Sequence, residues 1–187
     1  VLAGFLGVFA LLCGPWLEKS AWTVPEPGRT NHADTQLVVW ILWWVSWALR
    51  HVPSALFNAP INYPLPNQLT GSDHFLSGQI LFTPLYAILG NPIQATSVTL
   101  WLVTFPLTAW AMHRLLTKLG MSRWTCLAGA LLYALNSYQV PVDIHRLQAP
   151  LLFFPLVTSA IVSLRKSPTW QQTVILAIAL TTGLLLS

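Results

Sequence analysis

Four apolar stretches of membrane-spanning length dominate this sequence: residues 1–17, 92–116, 124–140 and 170–187. A spanning helix needs about 20 predominantly apolar residues, within a range of roughly 17–25. A further stretch, 149–164, is at the short limit, and two more, 36–50 and 76–90, are apolar but short. Only 7% of the residues are charged while 55% are hydrophobic, against about 25% charged in an average soluble domain. So few charges cannot solvate the surface of a soluble fold of this length, and the apolar exterior calls for lipid. The expectation is an all-α fold, a polytopic transmembrane helical bundle forming one membrane-embedded domain over residues 1–187. Val1 opens inside one apolar stretch and Ser187 ends another, which reads as part of a longer chain.

The net charge of +4 is scattered, with no basic run long enough for a nucleic-acid surface. It is better read as topology. Arg114, Lys118 and Arg123 bracket one turn around Gly120, and Arg165 and Lys166 occupy another. Lys and Arg accumulate in cytoplasmic loops, so both turns are expected inside. The segments 18–91 and 141–148 are then external, and Asp34, Asp73 and Asp143 all lie in them. Cys13 and Cys126 both fall in apolar stretches and read as small core residues rather than a disulfide framework or zinc site.

Whether 36–50 and 76–90 cross is a separate question. Fifteen residues reach about 22 Å at 1.5 Å per residue, short of a hydrocarbon core near 30 Å. On a helical wheel Gln36, Trp40, Trp43, Trp44, Ser46, Trp47 and Arg50 share one side of 36–50, opposite a wholly aliphatic one. Tryptophan favours the headgroup level, and such a two-faced helix suits the plane of the interface. Both short helices are therefore expected to be interfacial elements of the first external loop. A short spanning helix flanked by Arg50-His51 is the competing reading. Pro53, Pro60, Pro64 and Pro66 forbid regular helix between them, and such backbone cannot face lipid.

With charges so scarce, each asks for a reason. Asp34 precedes the helix 36–50 and is either a cap or first-turn acid favoured by the helix dipole or a general base at the membrane surface. Ser72 or Asp73 would cap the helix 76–90; the functional alternative is that Asp73 and His74 face the same cavity as Asp34. Asp143, His145, Arg146 and Gln148 sit at the expected external hairpin tip, as a solvated loop or as a cationic phosphate site. His113, near the end of an apolar helix, reads as structural. His32, Asp34, Asp73, His74 and His145 are the side chains that could hold a divalent metal, but His-x-Asp is a weak signal and no His-x-x-x-His supports it; no cofactor is expected, with a divalent metal as the lesser alternative.

The order of features resembles a known family. An apolar helix is followed by Asp34, which opens the next helix. A Pro/Asn-rich loop runs from Asn62-Tyr63-Pro64 to Ser72-Asp73-His74. A helix then ends Leu85-Tyr86-Ala87-Ile88-Leu89-Gly90-Asn91-Pro92, ahead of a span closed by basic residues. Together these resemble the N-terminal part of bacterial GT-C membrane glycosyltransferases, in the branch related to protein O-mannosyltransferases and lipid A aminoarabinose transferases. The resemblance covers essentially the whole chain and rests on order and spacing. It implies a multi-pass protein of the inner (cytoplasmic) membrane and a polyprenyl-phosphate-linked sugar donor. It also implies inverting transfer to an acceptor hydroxyl on the external face, in the cell envelope. Asp34 matches the family's catalytic base and Asp73 the second acid. His74, His145, Arg146 and Gln148 are implied contacts to donor phosphate or sugar, with membrane lipid as the surrounding partner. The acidic pairs of some relatives are absent, since Asp34 has no adjacent acid and Asp73 is followed by His74.

A non-catalytic membrane protein, such as a lipid or polysaccharide transporter subunit, is the reading from another class. Transport paths place ionisable groups at mid-bilayer and use broken helices in repeated halves. Here the acids fall in loops and no internal repeat is visible.

Overall fold

The structure is a computed structural model that describes residues 1–24, 32–71, 73–136, 147 and 150–184. Among the described residues every regular element is helical and there is no strand. One continuous helix organises the rest. It runs from Pro92 to Lys118 as α5 (Pro92–Leu102), a π-helical turn over Val103–Leu107 and α6 (Thr108–Lys118). Its start is written locally: Asn91 Oδ1 accepts from the N–H groups of Ile93 (2.9 Å) and Gln94 (3.2 Å), and Pro92 follows at the first helical position, where its missing N–H costs nothing. Pro106 explains the π turn, because its ring removes one donor and crowds the preceding carbonyl. Thr108 Oγ1 donates instead to the Val103 carbonyl, at 2.7 Å.

At 27 residues this helix is about 40 Å long. It is the one helix among the described residues that is long and apolar enough to cross a membrane, and most of its apolar length is buried inside the protein. The expected stretch 1–17 is two helices, α1 (Leu2–Leu12) and α2 (Gly14–Lys19), broken at Cys13. Pro15 is the cause, since it has no N–H to offer the previous turn. After the Gly120 turn, α7 runs over Arg123–Ala134 and leaves the helix at Leu135; α8 is Pro150–Lys166 and α9 is Trp170–Leu184.

The helix expected at 36–50 is longer. As α3 it covers His32–His51, 20 residues or about 30 Å, so shortness no longer argues against a crossing. Its aliphatic side does not face outward. Val38, Ile41, Leu42 and Val45 are buried against Ala59 and Leu69 of the proline-rich loop, Phe75, Phe82 of α4 (Gln79–Leu89), and Ala95 and Leu100 of α5. The reason is physical: an apolar stripe is equally satisfied by lipid or by protein, and here the chain's own loop covers it. The helix expected at 76–90 starts later, after a turn over 76–78, and ends at Gly90, whose φ of +68° is a left-handed conformation that glycine adopts without strain. The start of α4 lies beside Val103 and Leu107, in a crevice those residues share with Ser77, Gly78 and Leu81. Running back from there to Gly90, α4 lies alongside the first half of the long helix.

Two further clusters complete the core. Phe5 and Phe9 of α1 pack with Trp101, Phe105, Ala109, Ala130 and Ala134, while Val103 and Ala111 pack with Leu152 of α8. On α7 the buried residues Cys126, Ala130 and Ala134 recur every four positions. A Cβ on neighbouring Gly129 would meet Leu116 Cδ1 at 2.7 Å. Small residues at this spacing let helix backbones approach closely.

Candidate functional site

The two ends of the long helix differ in chemistry. At its start, Asn91 Nδ2 donates to the Ala21 carbonyl (3.0 Å) and Trp16 Nε1 to Ser97 Oγ (2.7 Å). These bonds hold α2 and the residues after it against α5. A cleft of about 630 Å³ opens between this segment, the first half of α3 and the start of α5. Trp22, Trp40 and Trp43 supply its aromatic walls, Ile93 an aliphatic one, and Thr23, Thr35 and Gln36 its polar groups. The described lining holds no ionisable side chain.

Asp34 is in the first turn of α3, half-exposed, one residue before Thr35. That position fits the first-turn reading, in which the carboxylate meets the positive end of the helix dipole. Asp73 cannot be explained as a cap, because α4 begins at Gln79 with Gly78 at its N-cap and no side-chain cap bond. Asp73 and His74 instead lie half-buried in an irregular stretch leading to Phe75. The His74 ring meets Phe57 edge-on with centroids 5.9 Å apart, and its Nδ1 lies 3.5 Å from the Leu76 N–H. Phe75 is 2% exposed at a φ of +49°, a left-handed backbone that a bulky residue adopts only when its surroundings hold it. Burial of its ring is what holds it, and the turn it makes sets where Asp73 and His74 stand.

His145, Arg146 and Gln148, like Ser72 and Asp143, lie outside the described residues. Leu147, between Arg146 and Gln148 in the chain, is 1% exposed and belongs to the same buried cluster as Phe75 and Leu42. It also lines the crevice with Ser77 and Gly78. Asp34 is tied to this second region through α3. Leu42, two turns beyond Asp34, accepts a hydrogen bond from Gln79 Nε2 at 3.2 Å and sits 3.7 Å from where a Cβ on Gly78 would be. The candidate residues therefore fall in two places along α3, Asp34 at its first turn beside the tryptophan cleft and the Asp73-His74 turn near Leu42 and Leu147, with about 12 Å of α3 between Asp34 and Leu42.

Sequence reasoning did not single out Thr35, Gln36 and Trp22 as walls of one cleft. The tryptophans on α3 were visible, but their meeting with the segment after α2 depends on the Asn91 to Ala21 bond, which no local pattern announces. Arg50, expected as a flank, lies over the Tyr86 ring at 5.6 Å and donates Nε–H to the Ser46 carbonyl at 3.0 Å. No group of three or more His, Cys, Asp or Glu side chains suited to a metal occurs among the described residues.

No family model, curated protein or solved structure matches this chain.

Proposed function

We propose that this protein is a membrane glycosyltransferase that transfers a sugar from a polyprenyl-phosphate donor to an acceptor hydroxyl at the external face of the inner membrane. The observation that carries the reading is the cleft of about 630 Å³ walled by Trp22, Trp40 and Trp43, next to the helix turn that bears Asp34. Indole faces pack against the C–H faces of sugar rings, and the Thr35 hydroxyl and Gln36 amide offer the donors and acceptors that ring hydroxyls need. The cleft has the size of a small-molecule site.

In this reading Asp34 accepts the proton of the acceptor hydroxyl as its oxygen attacks the anomeric carbon. The bond from that carbon to the donor phosphate breaks, and polyprenyl phosphate leaves with the electron pair. Asp73 and His74, with His145, Arg146 and Gln148 from the segment around Leu147, serve the donor side, where cations offset the charge of the leaving phosphate. The bundle crosses the membrane several times, with the basic turns around Gly120 and Ser167 on the cytoplasmic side. Support comes from the small-residue seam on α7 and from large aliphatics left exposed on α1 and α9, including Leu11 at 86% and Ile178 at 61%, which suit lipid.

The test is transfer from a panel of polyprenyl-phosphate sugars in membranes holding the natural protein and its Asp34→Asn variant. A transfer that depends on the protein and falls ~100-fold or more in the variant is expected. Absence of transfer from every donor, or an Asp34→Asn protein as active as the parent, would remove the assignment.

A further inference from the structure

The opposite end of the long helix carries a second binding feature. Arg114, Lys118, Arg123, Arg165 and Lys166 gather where α6, α7 and α8 meet, and those helices and the turns between α6 and α7 and after α8 contain no Asp or Glu. Part of this charge is fixed in place. Lys118 Nζ donates to the Ser159 carbonyl (3.1 Å) and to Ser163 Oγ, and Lys166 Nζ donates to the Lys118 carbonyl. Lys118 has three N–H donors, so one is left. Four residues earlier in α6, one helical turn back on the same face, the Arg114 guanidinium lies over the Trp110 ring at 5.0 Å. A pocket of about 410 Å³ is lined by Trp110, His113, Arg114, Thr117, Lys118 and Val1.

We propose that this pocket binds the phosphate headgroup of an anionic phospholipid. Two cations line one concavity with no carboxylate on the surrounding helices to balance them, and each retains hydrogen-bond donors that suit a phosphodiester. Basic pockets between helices on the cytoplasmic side have this preference. A lipid rather than a free anion is indicated by the apolar frame. Trp124 and Trp170 are 76% and 77% exposed beside the basic turns, with Leu119 at 52%, and exposed tryptophan marks headgroup depth. The inference rests on the reading that this end lies at a membrane surface and is independent of the sugar-transfer chemistry.

Native mass spectrometry of the purified natural protein, loaded in turn with phosphatidylglycerol and phosphatidylcholine, tests it. Phosphatidylglycerol should be retained about fivefold better, and Arg114→Gln, at an exposed position that anchors no helix, should erase about fivefold of that retention. Lys118→Arg, which keeps the charge and the reach to α8, should preserve it. Equal retention of the two lipids, or unchanged retention in Arg114→Gln, overturns the site. Displacement of phosphatidylglycerol by inorganic phosphate overturns the lipid in favour of a free anion. Alkaline washing of membranes separates the premises: a protein that stays in the membrane without lipid preference loses only this site, whereas one that washes out loses the membrane reading as well.

Discussion

The two ends of the Pro92–Lys118 helix use polar groups in opposite ways. At the Asn91 end, neutral side chains hold backbone together: Asn91 binds Ala21 and caps α5, and Trp16 binds Ser97. What this leaves open, among the described residues, is a tryptophan-walled cleft with no ionisable side chain in its lining, beside the Asp34 carboxylate. At the Lys118 end, cations hold backbone together, and what is left over is surplus positive charge with no acid on the same helices. The first arrangement suits a neutral polar ligand recognised by shape and stacking. The second suits an anion recognised by charge. Fixing a fold with neutral groups leaves a cleft free of fixed charge among the described residues, whereas fixing it with cations creates demand for a counterion.

The largest test of this contrast is all-or-none. In a background lacking Cys13 and Cys126, Lys19→Cys should react with an impermeant maleimide added outside intact cells, and Ser122→Cys should react only after permeabilisation. The same reactivity at both positions would end the two-sided picture. Gln68→Cys then places the proline-rich loop, with external labelling expected.

Asp34→Asn comes next, with transfer lower by ~100-fold or more and insertion nearly unchanged, since asparagine keeps size and hydrogen-bonding ability while losing the basic oxygen. Trp43→Ala should weaken the cleft in a different way, raising KM about tenfold with a smaller effect on kcat, because stacking is made in the ground state as well. If kcat alone falls, Trp43 acts on the reaction and not on binding.

Stability tests sharpen the comparison further. Ala130→Leu puts a branched side chain into the closed seam between α6 and α7, where Ala130 is fully buried, and should destabilise by about 1–3 kcal/mol in a detergent unfolding assay. Asn91→Ala removes the cap of the long helix and should cost about 1 kcal/mol. It should also loosen the cleft, because the same side chain holds Ala21, so sugar affinity and stability should fall together. Affinity unchanged in Asn91→Ala would show that the cleft is held by other contacts.

Part of the fold was legible locally: the end of α4 and the start of α5 follow from Gly90, Asn91 and Pro92. The break at Cys13 and the π turn at Pro106 correct the reading of 1–17 and 92–116 as unbroken stretches, because proline acts through backbone geometry even inside an apolar run. Asp34 could be placed at the start of a helix for the same kind of reason, although the helix begins four residues before the expected 36. The expectation that Asp73 caps α4 does not hold, because the chain turns through Phe75 to Gly78 before α4 starts, and the burial of Phe75 among residues distant in sequence helps to hold that turn.

Charge scarcity, apolar runs and the separation of basic turns from acids were thus settled by the sequence alone, since composition and order do not depend on what packs against what. Tertiary structure decided what each apolar face meets. The aliphatic side of α3 reads the same on a wheel whether lipid or protein covers it, because hydrophobic burial is non-directional and scales with area rather than with the identity of the partner. Only the folded chain shows Ala59, Leu69, Phe75 and Phe82 against that side, which leaves the tryptophans on the other side of α3 free to wall a cleft. The placing of Leu147 is of the same kind: it lines one crevice with Ser77 and Gly78, about 70 positions away in sequence, an arrangement set by packing rather than by local preference.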